Sequence, residues 1–436
     1  MGSSAPPPPS TLPPVNTPVS RSSPLPEFAY TGRKLGTAML LYVLGVVAVI
    51  TLEPFTFARR ATVSILWFAN WFDIVANVAL FVPAGFLFAL ARSATDDDSL
   101  AARRHVLRLA TLVGFITSAS IELAQLFEPS RYPSPTDVAT NTLGAALGAW
   151  LFGRAARRFG AGTPLVGRLA LELPLIGLVY LLVPLLSLAA LTVAQVAPPS
   201  AAWMPLPRGL GLIALGLFGG TLLGHVQRRH FGPARATTPA QTALVAAGWF
   251  ALGALPALAT APAVFGIGTA AAGLAAWRYG VTPDGFVAVN RRFELQTLRR
   301  GAPWLAAYLA LIPLSEPSML PERLETLDVL HAVESLAAFT VLGYVLAEAW
   351  GRLELRYRYT AWRVGLVALG AAVATALLRH VAAPVSAGGL ALHVLAAGYG
   401  GWIYHLQRAH VRALIAARPA ADVVAAPEPT RVRLSA

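Results

Sequence analysis

The sequence has no cysteine. That excludes disulfides, thiolate catalysis and cysteine-ligated metals, and it leaves the redox compartment open. Charge is also scarce. Only 13% of the 436 residues are charged, against about 25% in a soluble domain. Lysine is nearly missing, so the 34 basic residues are all arginine except Lys34. With 21 acidic residues the formal net charge is +13. In a soluble protein that excess would suggest nucleic acid, but no aromatic–basic motif for bases accompanies it and no nucleic-acid partner is expected. What fills the chain is apolar, 56% of it.

A bilayer span needs about 17–25 mainly apolar residues. The candidate runs are 35–52, 74–91, 105–127, 137–153, 172–195, 209–225, 241–260, 262–279, 303–315, 327–348, 361–381 and 387–405. The expected fold is therefore all-α, a polytopic transmembrane bundle of about twelve helices. The ninth run is short and contains Pro313, and very short connections separate the seventh from the eighth and the eleventh from the twelfth. Residues 1–34 read as a Pro/Ser-rich tail, with nine prolines and six serines in 1–27. Such a segment buries too little surface to offset its ordering entropy, so disorder is expected. It is too polar for a signal peptide, and the first run shows no small-x-small cleavage site, so that run is expected to be retained. Residues 411–436 read as a loose C-terminal tail.

Charge placement tests the topology. With the N-terminus inside, the inner segments hold 27 Lys and Arg and the outer segments 6. Membrane proteins concentrate positive charge on the cytoplasmic side, so this bias predicts cytoplasmic N- and C-termini and an even number of spans. The arginines are accounted for by topology and by anionic lipid head groups, with the bilayer as the principal partner.

The two ends of the chain echo each other. Leu52-Glu53-Pro54 is echoed by Ser315-Glu316-Pro317, Asp73-Ile74-Val75 by Asp328-Val329-Leu330, and Phe81–Gly85 by Phe339–Gly343. We therefore expect four-helix units at 35–155 and 301–410, degenerate copies of one another, flanking a middle four-helix segment at 156–300.

Polar residues concentrate in the first unit. Asn77, Phe81 and Gly85 are four apart and share a helix face, and Pro83 removes a backbone donor between them. Glu122 and Gln125 lie near the outer end of the third helix. Arg131 lies in the proline-stiffened connection that follows. Asp137, Asn141, Gly144 and Gly148 form one stripe on the fourth helix, where Gly144-x-x-x-Gly148 lets a neighbouring helix approach closely. Ionisable groups in or beside lipid are functional candidates by default.

This series, Asn77-x3-Phe81-x-Pro83-x-Gly85 followed by Glu122-x2-Gln125-x5-Arg131-x5-Asp137-x3-Asn141-x2-Gly144-x3-Gly148, resembles the VanZ-like family of bacterial membrane proteins over about residues 35–155. The resemblance implies the cytoplasmic membrane and the cell envelope as setting. The family takes its name from an accessory protein of teicoplanin-type glycopeptide resistance, so the resemblance also brings antibiotic resistance into view.

Three readings of these residues stay open. In the structural one, Asp137 or Thr136 caps the fourth helix, Arg131 pairs with Glu122, Glu128 or Asp137, and Asn141 bonds a neighbouring helix. In the binding one, Arg131 meets a phosphate or carboxylate of an envelope lipid or lipid-linked glycan while Glu122 and Asp137 accept from sugar hydroxyls. In the catalytic one, Glu122 and Asp137 act as acid and base on a lipid-linked substrate, although no nucleophile is evident. No cofactor or metal is expected. A second polar group, Asp328, His331 and Glu334 with Arg379, His380 and His393, reads as a packing network or a proton relay, with Glu334 paired to Arg379 or His331. A ligand-binding envelope protein is the favoured function. A multi-helix transporter and an envelope enzyme are the alternatives.

Overall fold

A computed structural model describes residues 27–53, 55, 57–59, 64–67, 71–92, 100–159, 174–189, 205–231, 238–281, 292–315, 325–350, 356–379 and 387–416. Most of the expected N-terminal tail, residues 417–436 and His380 lie outside these residues, as do the side chains of Asp328 and Arg379. The described residues form helices and no strand. The helices are α1 (Glu27–Leu52), α2 (Trp71–Arg92), α3 (Leu100–Gln125), α4 (Pro135–Phe159), α5 (Pro174–Ala189), α6 (Pro205–Phe231), α7 (Pro239–Gly253), α8 (Leu255–Thr260), α9 (Pro262–Val281), α10 (Arg292–Leu311), α11 (Glu325–Trp350), α12 (Arg358–Arg379) and α13 (Ala387–Ala416).

Local chemistry sets several boundaries. Thr238 caps α7 in a reciprocal box with Gln241, and Pro239 takes the first position, where a missing N–H costs nothing. The run expected as one span over 241–260 is two helices. Pro256 has no N–H for the ladder, so the chain breaks at Ala254 (φ −92°, ψ 8°) and restarts as α8. The expected ninth span begins earlier, at Arg292, and gives way to a 3-10 turn at Pro313–Ser315.

Six helices, α1, α2, α3, α6, α11 and α12, are long and apolar enough to cross a bilayer, and α5 is shorter and apolar. The chain is thus a multi-pass membrane protein. Large apolar side chains face outward, including Phe115 and Ile116 on α3, Leu274 on α9 and Leu366 on α12. Such a surface suits lipid and would be a liability in water. At the centre, Leu178, Val179, Leu182 and Leu185 of α5 are fully enclosed. A helix that is apolar on every side belongs in a core.

Glycine sets the closest helix crossings. A Cβ at Gly85 of α2 would overlap the carbonyl of Ala145 on α4, and one at Gly148 of α4 would overlap the carbonyl of Val82 on α2. The same reciprocal contact joins α11 and α13, where Gly343 meets the Ala397 carbonyl and Gly400 meets the Thr340 carbonyl. In the middle of the chain the contact is one-sided, with Gly216, Gly220 and Gly224 of α6 against the backbone of Gly268, Ala272 and Ala276 on α9. Without a hydrophobic drive between helices in lipid, such close backbone approach is what dispersion can use. The remaining helices join these pairs: α1 packs on α2 and on α13, and α10 packs on α6.

Candidate functional site at the Arg131 face

The connections from α1 to α2 and from α3 to α4 lie side by side at one end of the first four helices. Ala58 N donates to Phe127 O at 2.7 Å and Leu66 N to Pro133 O at 3.0 Å. Phe55 adopts φ 63°, a left-handed conformation uncommon for a residue with a side chain, which turns the chain sharply after Glu53. Trp67, Trp71, Phe127 and Tyr132 are exposed here. Aromatic side chains of this kind favour the head-group level of a bilayer.

Arg131 is clamped to Glu53. Its Nε donates to the Glu53 carbonyl at 2.7 Å and its Nη2 to Glu53 Oε2 at 3.1 Å. Burial raises the Glu53 carboxyl above its usual range and Glu128 adds to this, while Arg131 pulls it back. The partner is thus Glu53, rather than the Glu122, Glu128 or Asp137 considered from sequence.

Glu122 has a specific structural task. Its Oε2 accepts from the Ser134 backbone N–H at 2.7 Å. Ser134 is the residue before Pro135, its Oγ accepts from Asp137 N at 3.3 Å, and its carbonyl accepts from Val138 N at 3.3 Å. Ser134 is therefore the N-cap of α4, with proline first and an acid third, as a capping box requires. The expectation that Asp137 or Thr136 caps this helix is corrected. Thr136 Oγ1 donates to the Trp67 carbonyl instead. In a usual box the third residue's side chain would reach back to the cap's N–H; here Glu122 from α3 occupies that N–H.

Gln125 and Asn141 also tie helices together. Gln125 Nε2 donates to the Thr51 carbonyl of α1 at 2.8 Å. Asn141 Nδ2 donates to Ser118 Oγ of α3 at 2.9 Å, while its buried Oδ1 has no hydrogen-bond partner. Asp137 is half-buried, hydrogen-bonded to Ser134, and within electrostatic range of Asp73, Glu122 and Arg131. Asn77 is half-buried one turn along α2 from Asp73. Phe81, Gly85, Gly144 and Gly148 form the α2–α4 crossing below them. Pro83 lies within α2, which continues past it to Arg92.

The site therefore comprises Asp73, Glu122, Asp137 and Asn77 at one end of α2, α3 and α4, with Arg131 held above by Glu53. Sequence reasoning missed Glu53 and Asp73 as members, having read them only as repeat markers. It also missed Ser134, although Ser134-Pro135-x-Asp137 is a readable helix start.

The second polar group divides. Glu334 and His331 of α11 meet, with His331 Nδ1 3.9 Å from Glu334 Oε2. The principal partner of Glu334 is Arg208 of α6, whose Nη1 lies 3.1 Å from Oε2 with both side chains buried. Tyr308 of α10 donates to Oε1 at 3.0 Å. Sequence reasoning left Arg208 among the loop charges; the side chain of Arg379, the other expected partner, lies outside the described residues. His393 packs on Phe339 at 4.4 Å, inside the α11–α13 crossing. No group of three or more His, Asp or Glu side chains suited to a metal occurs among the described residues.

No curated protein and no solved structure matches the chain. Residues 29–156, which take in most of α1 through α4 and the face just described, match the family model described as VanZ/LLP1, so that segment is VanZ-like.

Proposed function

We propose that this membrane protein binds the hydroxyl-rich polar head of an envelope lipid or lipid-linked glycan at the Arg131 face, with Asp73, Asn77 and Asp137 as contacts and Glu122 and Arg131 as positioning residues. The observation that carries the reading is a comparison within the chain. The α11–α13 crossing repeats the α2–α4 geometry with other residues at the positions of Asp73 and Asp137, and Asp328, which the sequence pattern set against Asp73, lies three residues earlier in this register. In its register Asp73 corresponds to His331 and Asp137 to Gly389. Packing of this kind does not need carboxylates, and half-buried acids near one another are costly, so a ligand is the better reason for them. Several carboxylates against one arginine that is already clamped favour a partner rich in O–H or N–H donors over an anion.

The charge bias supports cytoplasmic termini and hence an outward-facing site on the bacterial cytoplasmic membrane. A tag at residue 1 should then be unreachable from outside intact cells, and labelling there would reverse the orientation. Teicoplanin tolerance is the phenotype that the family context suggests. Expression of the protein should raise it, and Asp73→Asn with Asp137→Ala should remove it at unchanged membrane levels. Depletion of the doubly substituted protein from the membrane would make these residues structural and end the binding reading.

A further inference from the structure

The two loops of the Arg131 face carry apolar side chains at their surface. Phe57, Ile65, Trp67, Trp71, Phe127 and Tyr132 are each more than half exposed, Trp67 and Trp71 by 71% and 73%. The backbone bonds from Ala58 and Leu66 tie the loops together, so these side chains form one edge. Exposed apolar groups gathered in this way mark a surface made to be covered.

Two observations say what covers it. The first is continuity with the lipid-facing sides of the helices. Trp71 and Val75 are one turn apart on α2 and both exposed, and Leu123 is exposed one turn before Phe127. The second is length. Lys34, Arg92 and Arg154 mark the opposite ends of α1, α2 and α4, each with its cation over a ring, of Tyr30, Phe88 and Trp150 respectively. At about 1.5 Å per residue, Glu53 lies about 29 Å from Lys34 along α1 and its last turn, Asp73 about 29 Å from Arg92 along α2, and Asp137 about 26 Å from Arg154 along α4. The hydrocarbon core of a bilayer is about 30 Å thick. Three helices thus measure out one hydrocarbon thickness between cations and acids, and any tilt shortens it, so the acids stand no further out than the head-group layer. The irregular loop backbone sets the opposite limit, because unpaired N–H and C=O groups are not tolerated against hydrocarbon.

We infer that this edge is a membrane-docking surface whose partner is the phospholipid head-group layer. The aromatic side chains enter the leaflet, the exposed Arg59 of the same loop meets lipid phosphate, and Asp73 and Asp137 are held at head-group depth instead of being raised into water. The inference goes beyond head binding and stands without it. A stacking platform for a soluble sugar, or a seat for another protein chain, would leave the same side chains outside lipid.

The absence of cysteine makes the test direct. Nitroxide labels are placed singly at Ile65→Cys, Leu123→Cys and Phe127→Cys in the full-length protein, in nanodiscs of phosphatidylcholine and phosphatidylglycerol. Power-saturation EPR compares their collisions with oxygen, which concentrates in lipid, and with a water-soluble nickel chelate. Labels at 65 and 127 should favour oxygen, at a depth just beneath the head groups and shallower than the label at 123. Replacing Trp67 and Trp71 together by serine should lower the oxygen-to-nickel ratio at 127 by about threefold or more. If that double variant does not fold, Phe57→Cys supplies a third loop depth read in the same way. Nickel-dominated collisions at the loop positions would overturn the inference in favour of loops standing in water. Labels shielded from both reagents would overturn it in favour of a protein partner. Asp73→Asn with Asp137→Ala should leave every depth unchanged, whatever it does to head binding. Retreat of the loops from lipid in that variant would make a bound ligand the anchor and overturn the inference.

Discussion

The α2–α4 and α11–α13 crossings are built to one plan and furnished differently. Gly85 against Ala145 and Gly148 against Val82 correspond to Gly343 against Ala397 and Gly400 against Thr340. In that register Phe81 matches Phe339 and Asn141 matches His393, while the acids Asp73 and Asp137 become His331 and Gly389. The glycines, being common to both, belong to the packing. The acids, being private to one, are separable from it. The last unit places its buried carboxylate elsewhere, at Glu334, and neutralises it with Arg208 from the middle of the chain. One end thus carries accessible, like-signed charge and the other an enclosed ion pair that joins separate parts of the bundle.

Substitution at the shared glycines should strike both crossings hardest. Gly85→Leu and Gly343→Leu each place a side chain into a carbonyl that cannot move without its helix, so the cost should exceed the ~1–3 kcal/mol of ordinary overpacking. Both variants should nearly vanish from the monodisperse peak of detergent-solubilised protein in size-exclusion chromatography. A variant of either glycine that accumulates normally would separate the two crossings.

Glu334→Ala should come next, at about 3–5 kcal/mol, because it strands the buried Arg208 guanidinium. Joint replacement, Arg208→Met with Glu334→Leu, should recover much of the loss in thermal unfolding of the purified protein. Failure of the pair to recover would mean that the ion pair does more than hold the bundle.

A smaller, pH-dependent effect should appear at Glu53. Its folded-state pKa is raised, so the folded protein holds that proton more tightly than the unfolded chain does. Stability from this group is therefore full below the ordinary carboxylate range and is lost as pH rises through the folded value. Glu53→Gln should flatten the melting temperature across that window, and Arg131→Ala, which removes the offsetting cation, should steepen it. The Arg131–Glu53 pair is partly exposed, so its own contribution should not exceed about 1 kcal/mol.

The smallest change is expected at the private acids. Asp137→Gly and Asp73→His, which import the last unit's residues, should shift stability by no more than about 0.5 kcal/mol. A loss as large as that of Glu334→Ala would show that the acids are structural after all.

Much of this was legible in the sequence. Apolar runs gave the helices, and the four-residue spacing of Gly144 and Gly148 marked a crossing before any partner was known. What escaped was pairing across long sequence distance. Nothing in the local pattern tells Arg131 to choose Glu53 over the nearer Glu128, because the choice depends on two loops lying side by side. Arg208 was harder still. It was counted as one more loop charge, yet it belongs with Arg131 among the few arginines on the arginine-poor side of the chain, and both turn out to be ion-paired. A basic residue placed against the prevailing charge bias is a signal worth reading. The break at Ala254 was missed because apolarity continues through it and only Pro256 interrupts the ladder.

The bond from Glu122 to the Ser134 N–H has a practical consequence for anyone who would cut or graft this unit. The start of α4 is written partly in α3, so the two helices form one inheritance. A split or permuted chain opened within residues 126–133 would ask α4 to nucleate before its cap is complete. Opening the chain between α2 and α3 leaves that bond within a single fragment, and that is where a two-piece version should reassemble.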